Sequence, residues 1–599
     1  MILRPVRVGV MVAILHAVVV AAVEGQSVEP RPLRPPAATP SQTLPVDNAE
    51  KNPRSPKNMG SPYVPMDSWI YSAFDRLIAL GYVRSAIVGN RPWTRLECAR
   101  LLNEANELLQ SANTEGDDEA HGIYDALAQE FSNERALIDG ETNRSLQVDS
   151  IYTRVMGIAG RPLTDGYHFG QTVMNDYGRP YGEGFNTIDG FSGSAAEGPL
   201  TAYIRCEYQH APSIPTPSAQ ALQFIAMPVF GSLPVPPDVP TPAVNRFQLL
   251  DAYVALNVEN WQLSFGKQSL WWGPSHDGPM MFSDNTVPIT MFRIDRVTPF
   301  RLPWILGLFG PIKGEFFLGR LSGHKFANGV NTGLVGQWTQ SLNDQPFMDG
   351  AKLNFKPSPN FEFGVGLTTM IGGPGVPFTF HKFIQSLFAL RTCPPGSSCD
   401  PGDRRSSVDF SYRIPGVRKW LTFYGEAFTQ DEYSPLGYPR KAVFQGGLYM
   451  PRIPRIRKLD LNVEGGSTSP ADWAPCDGCF YFSNRFLNGW TDSGNLVGSW
   501  IGRASQGEQA TSTYWLTRRN TIQFNYRHRK LDAQYISNGG TVNDGAVRAD
   551  YWFGQSVTLS GSVQYEKWQI PVLDSSARSN FTASFELGFW PRNWGLHAH

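Results

Sequence analysis

The stretch Gly266 to Met281, GKQSLWWGPSHDGPMM, gathers groups that could do recognition chemistry into a short span. The flat apolar faces of Trp271 and Trp272 are suited to packing on the C–H faces of sugar rings. His276, Asp277, Arg293, Asp295 and Arg296 supply donors and acceptors for hydroxyls or acidic sugars. The same indoles would serve equally well as a girdle anchoring a membrane protein at headgroup depth. Because adjacent strand residues point to opposite faces, one ring can meet lipid while the other meets a lumen.

Equipment for catalysis is missing. The chain has no His-Glu-x-x-His, no Gly-x-Ser-x-Gly elbow and no Gly-Lys phosphate loop, so it reads as a non-enzyme with no catalytic residues and no cofactor. Asp251, Glu315 and Glu362 could approach one another as a glycosidase pair would, but lining a polar lumen explains them more simply. Of the six cysteines, Cys393 with Cys399 and Cys476 with Cys479 lie in Gly/Pro/Ser-rich surroundings and suit loop-stapling disulfides in an oxidising compartment. A zinc reading of CDGC needs a second ligand pair, and none is nearby, so no metal is expected.

The elements that must position these residues lie outside the cytoplasm. Arg4 and Arg7, an apolar run from Val8 to Val23 and small residues near Gly25 read as a signal peptide over residues 1–25. Beyond it, no apolar segment reaches the roughly 18 to 20 residues that a spanning helix needs. The 52 Lys and Arg against 53 Asp and Glu leave no basic field for nucleic acid. Aromatics at 12% and 58 glycines beside an ordinary 41% apolar content fit strands with one apolar face.

Residues 26–60 are Pro-rich and aperiodic, a tether. Residues 61–140 read as a small helical module. Asp67 is the expected N-cap of a first helix carrying Ile70, Phe74 and Leu77, Thr94 and Glu97 form an expected capping box, and a weaker third helix runs near Ile123 to Leu137.

From 146 to 599 the period becomes two. Leu353 and Phe355 alternate with Lys352, Asn354 and Lys356, and Phe361, Phe363, Val365 and Leu367 alternate with Glu362, Gly364, Gly366 and Thr368. Short connections (PSPN, PGVR, PRIPRIRK, RK, GQ) alternate with long ones (371–406, 430–440, 466–517, 537–545, 567–579). That order is the tight periplasmic turn and long outer loop of an outer-membrane barrel, and a soluble sandwich has no reason to keep it. Further strands are expected near Val148, Tyr167, Ala202, Phe247, Trp261, Met291 and Phe316, with 177–199 anomalously long for a turn. The expected fold is mainly β: a transmembrane antiparallel barrel of about 18 strands with an N-terminal periplasmic α-helical module.

The block from Phe265 to Leu321 contains Gly266, Gln268, Trp271 to Pro274, Ser283, Asn285 and Pro299 to Pro303 in a spacing that resembles the capsule assembly protein Wzi family. The resemblance implies an outer-membrane barrel that acts as a lectin and holds capsular or other surface polysaccharide. It also implies outer-membrane lipid around the wall and, through the helical module, periplasmic polysaccharide-export proteins or peptidoglycan as partners. The chain departs from that pattern by running past Phe589 and Trp590 to PRNWGLHAH. LIALGYV followed by RPWTRLECARLL is similar to one S-layer homology repeat, which makes a carbohydrate-selective porin the alternative.

Overall fold

The computed structural model describes residues 55–111, 117–229, 231–329, 333–376, 378–388, 402–417, 419–432, 434–470, 478–591 and 595–597. The expected signal peptide, nearly all of the tether, and Cys393, Cys399 and Cys476 lie outside them. Cys479 is disulfide-bonded, while Cys98 and Cys206 are free thiols.

Eighteen antiparallel strands form a closed barrel. They are β1 (Arg144–Ala159), β2 (Gly184–Glu197), β3 (Leu200–Ala211), β4 (Val244–Val258), β5 (Trp261–Gln268), β6 (Ile289–Arg296), β7 (Pro311–Arg320), β8 (Pro346–Ser358) and β9 (Phe361–Gly372). The circle continues through β10 (Asp403–Arg413), β11 (Thr422–Gln430), β12 (Val443–Met450), β13 (Leu461–Ser467), β14 (Ser505–Trp515), β15 (Thr521–Leu531), β16 (Gly540–Phe553), β17 (Val557–Gln569) and β18 (Arg578–Phe589). Each strand pairs with the next, and β18 closes on β1 with Phe585 opposite Val155. The residues beyond Trp590 extend the same seam, Gly595–His597 pairing with Ser145–Gln147.

The two-residue period sorts side chains by solvent. Ile204, Val254, Phe265, Phe524, Val563 and Phe585 are exposed on the outer wall, whereas charged residues such as Arg205, Lys352, Asp409 and Glu464 are buried inside. An apolar exterior around a polar interior is the inverse of a soluble barrel and marks a wall that faces lipid. Inside, opposite charges pair, Lys352 with Asp409 at 2.8 Å and Arg527 with Asp544 at 2.8 Å. No helix among the described residues is long and apolar enough to cross a membrane.

The connections keep to two sides. On one side lie 198–199, 259–260, 359–360, 516–520 and 554–556, with longer turns at 297–310, 414–421 and 451–460. On the other lie the large excursions 160–183, 212–243, 269–288, 321–345, 373–402 and 468–504. The turn at Glu259 and Asn260 has φ of 51° and 64°, the positive pair that a two-residue hairpin needs to match strand twist.

Three sequence expectations are corrected here. Tyr167 is not in a barrel strand; the strand is β2, inside the stretch expected to be an anomalously long turn. The connection expected over 466–517 contains β14. Arg529 and Lys530, expected to form a turn, lie within β15, and the chain turns instead at 516–520.

The N-terminal helices are α1 (Trp69–Leu80), α2 (Arg95–Ser111), α3 (Asp118–Glu130) and α4 (Ser132–Ile138). Their apolar faces meet around Phe74, Leu77, Trp93, Leu101 and Phe131, and Trp515 from the end of β14 completes that core. Residues from Pro56 onward therefore form one compact unit. The α1 N-cap is Ser68, which accepts from the Ile70 amide at 3.4 Å; the expected cap, Asp67, is taken by Arg205 through two hydrogen bonds of 2.9 and 2.7 Å. Thr94 accepts from the Glu97 amide at 3.2 Å, but the Glu97 carboxylate is held by Arg100, so only half of the capping box forms.

Candidate functional site

The connection from β5 to β6, residues 269–288, does not stay at the barrel mouth. It drops into the lumen and meets the loop between α1 and α2 arriving from the opposite side. Trp271 and Arg91 exchange two backbone hydrogen bonds of 3.1 Å, and the Gly273 amide donates to the Gly89 carbonyl at 3.1 Å. Both glycines sit close against wall side chains that a Cβ would have to displace. A Cβ on Gly89 would lie 2.7 Å from Asn354, and one on Gly273 would lie 2.6 Å from Glu426 at a φ of +151°. The barrel wall ties down both partners: Glu362 accepts from the Val88 and Gly89 amides at 2.9 Å, and Glu464 accepts from the His276 amide at 2.6 Å.

Trp272 is the centre of this plug. It is 1% exposed, with its ring edge-on to Phe282 at 5.0 Å and to Phe317 at 5.4 Å, and Phe282 packs in turn on Trp490 from the 468–504 connection. Trp271 is 7% exposed and donates its indole N–H to the Ser275 carbonyl at 3.2 Å. Neither indole faces lipid, which corrects the girdle reading and the reading of one ring in each phase. Neither offers a free face for a sugar ring. The strand ends at Gln268, and within three residues the chain is already inside the barrel, where Trp271 pairs with Arg91 ahead of the Gly273-Pro274 break.

The other singled-out residues separate. His276 packs on Tyr449 and Tyr424 with ring centroids at 5.0 and 5.4 Å, and Asp277 accepts from the Asn462 side-chain amide at 3.3 Å, both within the lumen. Arg293 is fully buried against Glu315 at 2.9 Å with its guanidinium 4.3 Å from the Tyr63 ring centroid, and the Tyr63 hydroxyl donates to Asp295. Arg293 and Asp295 thus hold the helical segment in the lumen. Arg296 lies over Trp261 and Phe300 at the short-turn rim. Of the three carboxylates considered for glycoside chemistry, Glu315 belongs to Arg293 and Glu362 to the two amides, while Asp251 accepts from Ser269 at 3.4 Å.

Above the plug, the large connections line a small cleft of about 120 Å³, below the roughly 300 to 1,000 Å³ of ordinary small-molecule pockets. Five connections build it. They contribute Tyr167 and His168, then Phe224 on helix α5 (Ala219–Ala226) with Met227 and Leu233, then Trp338, then Phe482, Asn488 and Arg503, and last Tyr535. Phe224 meets Tyr535 edge-on at 5.3 Å, and Trp338 meets Phe326 at 4.8 Å while donating to the Pro234 carbonyl at 2.6 Å. Arg503 is clamped at the base between Tyr167 and Tyr535, at 4.5 and 4.9 Å from their centroids, and donates to the Gly478 carbonyl at 3.0 and 2.6 Å.

The electrostatics leave unused polar capacity. The hydroxyls of Tyr167 and Tyr535 are buried and have no hydrogen-bond partner within the protein. Burial raises both phenols above their ordinary value, against the lowering effect of Arg503, so both stay protonated and able to donate. Burial alone would raise Asp165, but the charge and hydrogen bond of His168 win and hold this carboxyl below the usual range. The rings that line the cleft can stack on sugar faces, with the Arg503 cation and the two unpaired hydroxyls lying just beneath its surface. None of the seven residues singled out in the sequence lines this cleft.

The family described as capsule assembly protein Wzi matches residues 154–583. This chain belongs to the Wzi family. A solved Escherichia coli structure, described as Wzi, an outer membrane protein involved in group 1 capsule assembly and a carbohydrate-binding β-barrel, superposes with a TM-score of 0.62. It is 17% identical, and the match covers 89% of this chain and 100% of that one. An uncharacterized 55.8 kDa protein in the cps region of Klebsiella pneumoniae is 26% identical over 208 residues, 34% of this chain and 37% of that relative. The matched Wzi region includes residues 269–288 and every connection that lines the cleft.

Proposed function

We propose that this Wzi-family protein is a non-enzymatic lectin of the outer membrane that binds and anchors capsular or exopolysaccharide in the cleft above its plug. The observation that carries the reading is an aromatic cleft built from five connections on one side of the barrel, with Arg503 and two buried, unpaired tyrosine hydroxyls at its base. On this reading those connections face the cell exterior. The helical segment faces the periplasm, where polysaccharide-export proteins or peptidoglycan are its partners. The carbohydrate binding named for the E. coli relative supports the same assignment.

The test is retention of purified capsular oligosaccharide by the full chain in nanodiscs. Trp338→Ala is expected to weaken binding about tenfold, since an aromatic contact is worth roughly 0.5–1.5 kcal/mol beyond its buried area. Tyr535→Phe, which keeps the ring and removes the hydroxyl, is expected to cost about 1 kcal/mol. Undiminished binding in both variants would remove the cleft from the mechanism.

The porin alternative requires an open lumen, and the contact between the β5–β6 connection and the α1–α2 loop crosses it. The native protein is therefore expected to be silent in planar bilayers. Steady conductance blocked by oligosaccharide would restore the porin reading.

A further inference from the structure

The β6–β7 connection, residues 297–310, carries an apolar group that neither the plug nor the cleft uses. Phe300–Arg301 pair with Pro311–Ile312, and between them the chain forms a short 3-10 turn segment, Trp304–Phe309. That turn folds back against the outside of the barrel, Phe309 packing on Phe355 of β8 at 5.8 Å. Ile312 and Phe355, both on the outward face of the wall, are buried beneath it. In their place the turn presents Trp304, Ile305 and Leu308 at 94%, 76% and 76% exposure.

We propose that this turn is a membrane wedge whose Trp304, Ile305 and Leu308 enter the phospholipid leaflet on the helical-module side of the bilayer. Position selects lipid over a protein partner. The patch lies on the outer wall, packed through Phe309 on outward Phe355, which stacks in turn on Phe363 of β9 at 4.9 Å, so it adds to the apolar belt. A tryptophan at the edge of such a belt is in its preferred interfacial depth. The flanking cations agree: Arg301 is exposed, and Arg296 lies over Trp261 and Phe300 at 5.3 Å, so both are placed at the rim where they can meet headgroup phosphates. The inference rests on the lipid-facing wall and is independent of what the cleft binds.

A photoreactive benzoylphenylalanine at Ile305 of the full chain in isolated outer membranes tests it. Illumination is expected to yield phospholipid adducts by mass spectrometry, whereas the same probe at exposed Leu436, in the 431–442 connection, should yield none. A discrete protein cross-link in place of lipid adducts would overturn the proposal in favour of a protein contact. As a second readout, a nitroxide at Leu308 in Cys206→Ser protein, reconstituted in phospholipid nanodiscs, should collide with oxygen more than with a nickel chelate, as a label at Phe265 should. The opposite order at Leu308 alone would place the turn in water.

Discussion

Trp272→Ala is expected to convert a silent barrel into a leaky one. The indole fills the junction of three elements: Phe282 from its own connection, Phe317 from β7, and Trp490 beyond Phe282 from the 468–504 connection. Removing a buried Trp side chain from a packed cluster costs about 3–5 kcal/mol, because the lost contacts are not recovered by collapse. The barrel wall is held by backbone ladders that the substitution leaves alone, so the cost falls on the docking of 269–288. A tenfold change in an equilibrium corresponds to about 1.4 kcal/mol. An undocked plug should thus become on the order of a hundred- to a thousand-fold more populated. Single-channel recording is expected to show frequent transient openings in Trp272→Ala and almost none in Trp272→Phe, which keeps a ring at the site. If Trp272→Ala were as quiet as the native chain, closure of the lumen would have to come from the helical segment alone.

How far the sequence reveals this architecture depends on which side of each strand carries the apolar residues. In β8 and β9 the outward Leu353, Phe355, Phe363 and Val365 and the inward Lys352, Asn354 and Glu362 alternate without a break, and both strands are legible from spacing. In β2 the pattern is scrambled. Asp189 is exposed on the outer wall and bonded to Thr153 at 2.6 Å, while Ile188 is buried inside, so the stretch reads as a loop. In β14 the exposed residues include Gln506 and Glu508, and no apolar alternation exists to detect. The strand total is unaffected because spacing suggests strands at Tyr167 and after Lys530, where the barrel has none, and hides β2 and β14. A residue count survives such compensating errors; a pairing register does not.

The site was less legible for a different reason. The motif GKQSLWWGPSHDGPMM lies within the matched Wzi region, and its glycines and indoles are positioned by real constraints, but those constraints belong to the plug. Spacing shows that Trp271 and Trp272 follow a strand end without showing whether the next residues turn outward or into the lumen. The cleft residues have no local signal at all. Tyr167, Phe224, Trp338, Arg503 and Tyr535 come from five connections far apart in the chain, and only barrel closure brings them together. Arg503 amid three aromatic rings is a feature of assembly, visible in coordinates and absent from any window of sequence.

Arg293 is the second position where a single change should act strongly, and here the effect should fall on the helical segment. Its guanidinium neutralises Glu315 at 2.9 Å, lies 3.9 Å from Asp295, and covers the Tyr63 ring that anchors the segment to the wall. Arg293→Ala leaves two carboxylates buried without their cation, and breaking a buried pair from one side costs about 3–5 kcal/mol. The consequence should be local, because Tyr63 is the contact through which the segment feels this wall. Amide exchange over residues 59–99 is expected to accelerate by on the order of a hundred-fold or more, while the barrel ladders stay protected. Adding Glu315→Gln removes the orphaned charge and should recover much of the loss, giving a favourable coupling energy in the double-mutant cycle. Exchange that is unchanged in Arg293→Ala, or no recovery in the double variant, would show that Tyr63 and Asp295 hold the helical segment without help from the arginine.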